Sequence, residues 1–193
     1  MTGPDGALRP PKVRRPEPPP RVPSPLISRF KATLALAPAN RREAKIQAFW
    51  AHAAARGTPL IEPAGDDAQQ IVTFVWRAPD DRVPAVYLSV NRLTDERDLE
   101  RSLMSHVSGT DIWHLSYQLD TDWRASYCFC PVSPDGVAQV STQDDQVDTR
   151  RRLDSDVPDP LNPARVRGSD GGDLSMISLV TTLPGGRAVS PMD

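Results

Sequence analysis

The chain has 193 residues, 38% of them hydrophobic, 21 of them Pro, and a formal net charge of −2. A hydrophobic share below the roughly 45–50% of ordinary globular chains, with Pro at about twice its usual share, implies one domain with unpacked ends. The charge balance excludes a nucleic-acid binder of the ordinary basic kind, and no apolar run approaches the roughly 18 residues of a membrane helix.

Taken in chain order, residues 1–39 read as a disordered arm. The stretch RPPKVRRPEPPPRVPSP at 9–25 can neither propagate a helix nor bury a core. Ten Lys or Arg against three acids up to residue 50 give this end a charge of +7 and leave −9 for the rest. Such an arm suits either a docking tail for a Pro-motif reader or acidic surface, or a plain solvated tail. It lacks the apolar h-region of a secretory signal.

A helix is expected next, capped by Asn40, with Glu43 reaching back in the manner of a capping box. Ile46, Phe49, Trp50 and Ala53 form one apolar stripe, and Gly57 and Pro59 stop the helix. Phe49 and Trp50 are expected to hold it against a sheet.

The middle part, residues 70 to 132 or so, has the rhythm of strands. IVTFVWR at 71–77 ends in a Pro79-Asp80-Asp81 turn. AVYLSVN at 85–91 alternates, with Val86, Leu88 and Val90 on one face. IWHLSYQL at 112–119 sets Trp113, Leu115, Tyr117 and Leu119 against His114, Ser116 and Gln118, and WRASYCFC at 123–130 aligns Trp123, Ala125, Tyr127 and Phe129. Asp120, Thr121 and Asp122 predict a hairpin between the last two. The charged segment 92–104 suits a helical turn or a loop. After Ser133 periodicity is lost, and only Met176, Ile177, Leu179 and Val180 suggest a further strand. The expected fold is mainly β: an immunoglobulin-like β-sandwich over 40–180 with one N-terminal helix, a disordered N-terminal arm and a linker-like tail at 181–193.

No Ser stands in a G-x-S-x-G elbow, and three His among many Ser supply triad candidates only by chance. Cys128 and Cys130, the only cysteines, share one strand face; a bridge between them would staple nothing distant, and a reducing, cytoplasmic setting fits. Without a second close Cys/His pair they make a poor metal half-site, so no metal is expected. No phosphate loop or EF-hand pattern is present. What remains are Trp76-Arg77 and Trp123-Arg124, with Tyr87 and Tyr127. Arg beside an aromatic surface suits an anionic aromatic ligand, although on residue physics alone the aromatics read as core and the Arg side chains as solvated.

The stretch SGTDIWHLSYQLDTDWRASYCFCP at 108–131 resembles the N-terminal domain of enterochelin (enterobactin) esterases. The matching positions are Gly109, Thr110, Asp111, Trp113, Trp123, Arg124, Ser126, Tyr127 and Phe129. AFWAHAAARGTPLIEP at 48–63, VTFVWRAP at 72–79 and DPLNP at 159–163 agree in order, so the similarity spans about 44–180. The resemblance implies a sandwich preceding an α/β-hydrolase domain in a cytoplasmic enzyme that hydrolyses enterobactin esters and helps release iron. It also implies that the hydrolase domain, with its catalytic Ser, His and acid, lies outside this chain, so no catalytic residue carries over. The implied partners are a catecholate siderophore and a separate α/β-hydrolase domain or chain, with no nucleic acid and no membrane. No cofactor is expected, iron entering only within a ferric siderophore. Trp76, Arg77, Trp123 and Arg124 are the expected ligand contacts, and DPLNP the expected docking loop. The alternatives are a standalone siderophore- or carbohydrate-binding module and a non-functional gene fragment.

Overall fold

Strands with one apolar face must bury it, and among the described residues eight strands form two antiparallel sheets whose longer members meet around a common core. The computed structural model describes residues 19–65, 67–94, 98–133, 156–169 and 171–179. The elements are α1 (Pro25–Leu36), α2 (Ala39–Arg56), β1 (Leu60–Pro63), β2 (Gln69–Arg77), β3 (Val86–Val90), a 3-10 turn (Leu99–Ser102), β4 (Ser105–His106), β5 (Ile112–Asp120), β6 (Arg124–Pro131), β7 (Arg165–Arg167) and β8 (Asp173–Ser178). The first sheet has the order β1-β2-β5-β4 and the second β3-β6-β8-β7. The mainly β expectation is met.

The alternating residues of both sheets meet between them. Val72, Phe74, Trp113, Leu115 and Leu119 of the first sheet share a core with Val86, Leu88, Tyr127, Phe129 and Ile177 of the second. The other face of the first sheet is also covered. Ile27 and Leu34 of α1 and Ile46, Phe49, Trp50 and Ala53 of α2 pack there with Leu60, Val75 and Ile112. Phe30 and Phe49 meet between the helices with tilted rings, their centroids 4.9 Å apart. Cover on both faces explains why β2 is a nearly continuous β-branched and aromatic run instead of a simple alternation.

The structure corrects the sequence expectation in four places. The arm expected through residue 39 is part of the fold from residue 19 onward, so among the described residues there are two α-helices, not one. Ser24 caps α1 by accepting from the Ile27 N–H, and Pro25 occupies its first turn, where a missing N–H costs nothing. The last prolines of the run therefore start a helix. Residues 20–22 line the free edge of β5, with Val22 N–H donating to Ser116 O and Gln118 N–H to Pro20 O. Residues 1–18 and 180–193, which hold the rest of the arm and the tail, lie outside the described residues.

Second, α2 begins at Ala39 with Pro38 at the cap position and no side-chain cap, so Asn40 lies inside the helix. Glu43 accepts instead from Gln47 one turn on, at 2.7 Å. Gly57 ends the helix at φ 76°, as expected. Third, β5 and β6 are not a hairpin. β5 pairs with β2 and β6 with β3, so the Asp120–Trp123 turn carries the chain from one sheet to the other. Both strands have an apolar face, and crossing sheets lets the two faces meet. Fourth, β1, β4 and β7 are edge strands of two to four residues, too short for a period to show.

Candidate functional site

The four expected ligand contacts fall into two pairs that the fold keeps apart. Arg77 pairs with Ile112 at one end of β5, whereas Trp123 and Arg124 follow directly after Asp120 at its other end. Nine residues at about 3.3 Å each separate the ends. Within β2 the strand also divides Trp76 from Arg77, because successive side chains point to opposite faces. Trp76 belongs to the core between the sheets, and Arg77 reaches toward α2. Trp123 is partly buried against that same core, and Arg124 is exposed.

At the Arg77 end the local sequence builds a specific joint. Gly109 adopts φ 72°, which turns the chain between β4 and β5. Thr110 Oγ1 donates to Val107 O at 2.7 Å and accepts from Ile112 N–H at 3.0 Å. That clasp presents the Asp111 carboxylate to two donors at once. The Trp50 indole N–H donates to Oδ1 at 2.8 Å, and Arg77 Nε donates to Oδ2 at 2.6 Å. The Arg77 guanidinium lies 5.4 Å from the Trp50 ring centroid, within cation–π range. Trp50 and Asp111 are thus site residues the sequence reading left out, although both lie in quoted segments, Asp111 in the Gly-Thr-Asp triplet.

A cavity of about 370 Å³ opens beside this joint, lined by Gln47, Trp50 and Ala54 of α2, by Trp76 and Arg77 of β2, and by the Asp159–Leu161 loop. That loop is anchored from below. Asp159 is 1% exposed, and its carboxylate accepts from Tyr127 Oη at 2.8 Å and from Leu161 N–H at 2.9 Å. Asn162 Nδ2 donates to Tyr127 Oη and to Met176 O. Arg165 Nη2 donates to Asp159 O at 2.7 Å. Burial pushes the Asp159 carboxyl upward, against the pull of its hydrogen bonds, and pushes the Tyr127 phenol upward as well. The DPLNP segment therefore turns its polar residues inward and leaves Pro160 and Pro163 exposed, with Leu161 half-buried.

The three His occupy unrelated positions. His52 is exposed on α2, His106 stacks on Trp113 with its Nε2 2.7 Å from Thr110 O, and His114 is partly buried on β5. Among the described residues none of them is hydrogen-bonded to a carboxylate or a Ser hydroxyl.

Two antiparallel sheets with a helical pair on one face, and an apolar cavity edged by one Arg–Trp–Asp joint, define a β-sandwich domain with a ligand-sized recess. The particular family follows from comparison with known proteins. The family model described as "Enterochelin esterase, N-terminal" matches residues 71–184, and the chain belongs to that family.

Its relatives carry consistent names. An iron(III) enterobactin esterase of Dickeya dadantii (strain 3937) is 33% identical over 153 residues, covering 73% of this chain and 34% of that protein. An iron(III) salmochelin esterase of Escherichia coli O6:H1 is 35% identical over 98 residues, covering 50% of this chain and 24% of that protein. Among solved structures, the enterobactin esterase from Shigella flexneri, crystallised in the presence of 2,3-di-hydroxy-N-benzoyl-glycine, superposes with a TM-score of 0.54 at 26% identity. It covers 70% of this chain and 36% of that one. The ferric enterobactin esterase from Salmonella typhimurium gives a TM-score of 0.53 at 30% identity, covering 68% and 36%. The chain thus spans about a third of the length of these relatives, less for the salmochelin esterase.

Proposed function

We propose that this chain acts as the N-terminal, substrate-associated domain of a ferric-siderophore esterase system, working in the cytoplasm in the release of siderophore iron. Ester hydrolysis itself belongs to an α/β-hydrolase domain or partner chain. The sandwich contributes recognition of the anionic, aromatic catecholate and a surface for docking that partner. The observation that carries this reading is the Arg77–Trp50 pair at the rim of the cavity. An apolar recess with one cation held over an aromatic face suits an aromatic anion. Asp111 engages Arg77 through Nε, and Arg77 Nη2 donates to Oε1 of Gln47, another residue lining the cavity, at 3.4 Å. The pair at the other end, Trp123 and Arg124, does not line this cavity.

Calorimetric titration of the chain with ferric enterobactin tests this, with a hydrolysis assay on the same sample. The expected result is saturable binding without turnover. Arg77→Ala weakens it on the order of tenfold, the worth of a partly desolvated cation–π contact, while Arg124→Ala leaves it unchanged. Absence of binding, or a loss confined to Arg124→Ala, overturns the assignment of the site to this cavity.

A further inference from the structure

We propose that Cys128, Cys130 and Asp156 form a binding site for a thiophilic metal ion of the Zn²⁺ class, on the face of β6 turned away from the core. This inference is independent of the siderophore reading. It starts from the strand period. Tyr127 and Phe129 point between the sheets, so Cys128 and Cys130 share the opposite face with both sulfurs on one side. An outward strand face is ordinarily wet, yet Cys128 is 3% exposed and Cys130 is 0% exposed.

The third donor is brought by the backbone. Val157 forms a two-hydrogen-bond bridge with Phe129, both bonds 2.8 Å long, which places its neighbour Asp156 over the thiol pair. Asp156 Oδ1 lies 3.2 Å from Cys128 Sγ and 3.7 Å from Cys130 Sγ. The three donor atoms all lie within 4.8 Å of one another, and Asp156 is exposed. Tetrahedral Zn²⁺ with bonds of about 2.3 Å to sulfur and 2.0–2.2 Å to oxygen needs donors about 3.6–3.8 Å apart. The donors are therefore close to ligating distance before any ion enters.

The donor set also selects the ion. Two thiolates favour Zn²⁺ or another thiophilic ion over Mg²⁺ or Ca²⁺, which take oxygen. Binding exchanges the two thiol protons for the metal and changes no oxidation state. Three protein ligands leave the fourth position for water or an outside ligand, and Asp156 marks the solvent side.

The test uses the reduced, full chain under anaerobic conditions, titrated with Co²⁺ alone and then with Zn²⁺. Because Cys128 and Cys130 are the only cysteines, a thiolate-to-cobalt charge-transfer band in the near ultraviolet reports this site without any variant. The expected result is a band saturating at one Co²⁺ per chain and bleached by Zn²⁺. Asp156→Asn, at an exposed position, weakens binding on the order of tenfold; Cys128→Ser with Cys130→Ser abolishes the band and weakens Zn²⁺ binding by about 100-fold or more, beyond the loss of an outer-shell partner. If the double variant fails to fold, the wild-type band and the Asp156→Asn titration decide alone. No band from the reduced wild type, or Zn²⁺ binding unchanged by Asp156→Asn, overturns the proposal and leaves a thiol pair hydrogen-bonded to a carboxylate.

Discussion

Removing the Asp111 carboxylate tests the joint between helix and sheet, and the structure sets the size of the effect. In Asp111→Ala the Trp50 indole N–H loses its acceptor on a side chain only 5% exposed. An orphaned donor in such a place costs about 1–3 kcal/mol. The ion pair with Arg77 adds less. Its side chains are 45% and 26% exposed, and at that exposure solvent screening reduces the pair to roughly 0.2–1 kcal/mol. Asp111→Ala should therefore destabilise by about 2–3 kcal/mol, mostly through Trp50. Asp111→Asn keeps an oxygen for the indole and forfeits only the charge, so it should cost about 1 kcal/mol or less. Arg77→Ala should match Asp111→Asn. Urea denaturation of each variant measures this, with the midpoint moving at constant slope. A double-mutant cycle of Trp50→Phe with Asp111→Ala should give a coupling of about 1 kcal/mol or more. Equal losses in Asp111→Ala and Asp111→Asn would falsify this reasoning, because the charge and not the indole acceptor would then hold the joint.

Two further outcomes concern α1 and the sheet beneath it. Burial, reinforced by the positive Lys31 and Arg21, lowers the His114 pKa from 6.5 to about 4. The folded chain thus prefers the neutral imidazole, so this contribution is full above pH 6.5 and is lost as pH falls toward 4. At 1.36 kcal/mol per unit the ceiling is about 3 kcal/mol, and partial exposure brings it to roughly 2 kcal/mol. Denaturation midpoints across pH 7 to 4 should show this slope in the wild type and lose it in His114→Gln; parallel profiles would remove His114 as the cause. Glu62 on β1 accepts from Ser24 Oγ at 2.6 Å and from Leu26 N–H at 2.8 Å, with Arg29 3.4 Å away. Glu62→Ala should cost about 3 kcal/mol and speed amide exchange across 25–36 while β2 and β5 stay protected. Uniform loss of protection would show that α1 is not separately latched.

How much of this was legible in the sequence depends on the kind of signal each element leaves. β3 and β6 show their period because one face meets the common core, so Val86, Leu88 and Val90, or Tyr127 and Phe129, declare themselves, whereas β2, covered on both faces, shows as a continuous β-branched and aromatic run. Sheet membership leaves no such mark. The Asp120–Asp122 turn is chemically a hairpin turn, and only the presence of β2 and β3 as better partners sends β5 and β6 into different sheets. Local chemistry was readable for α1 too, since Ser24-Pro25 is a cap and a first-turn proline, but the proline density just before it masked the change. At the site, adjacency misled. Trp76 and Arg77 are neighbours in the chain and opposites on the strand, and the aromatic partner of Arg77 is Trp50, 27 residues earlier. Asp156 left no sign, because its approach to Cys128 and Cys130 depends on a bridge between Val157 and Phe129 that no spacing rule encodes.

The Gly-Thr-Asp triplet connects these levels. It is the start of the segment that carries the family resemblance, and each of its residues has a structural duty. Gly109 supplies a backbone conformation that side chains disfavour, Thr110 clasps the turn from both sides, and Asp111 ties α2 to β2. None of the three lines the cavity, yet the joint they form holds Trp50 and Arg77, which do. In the proposed role, the triplet would act on ligand recognition through position. Changing Thr110 or Asp111 should disturb binding in proportion to the stability lost at the joint. Changing Arg77, which makes only the exposed part of that joint, should separate affinity from stability.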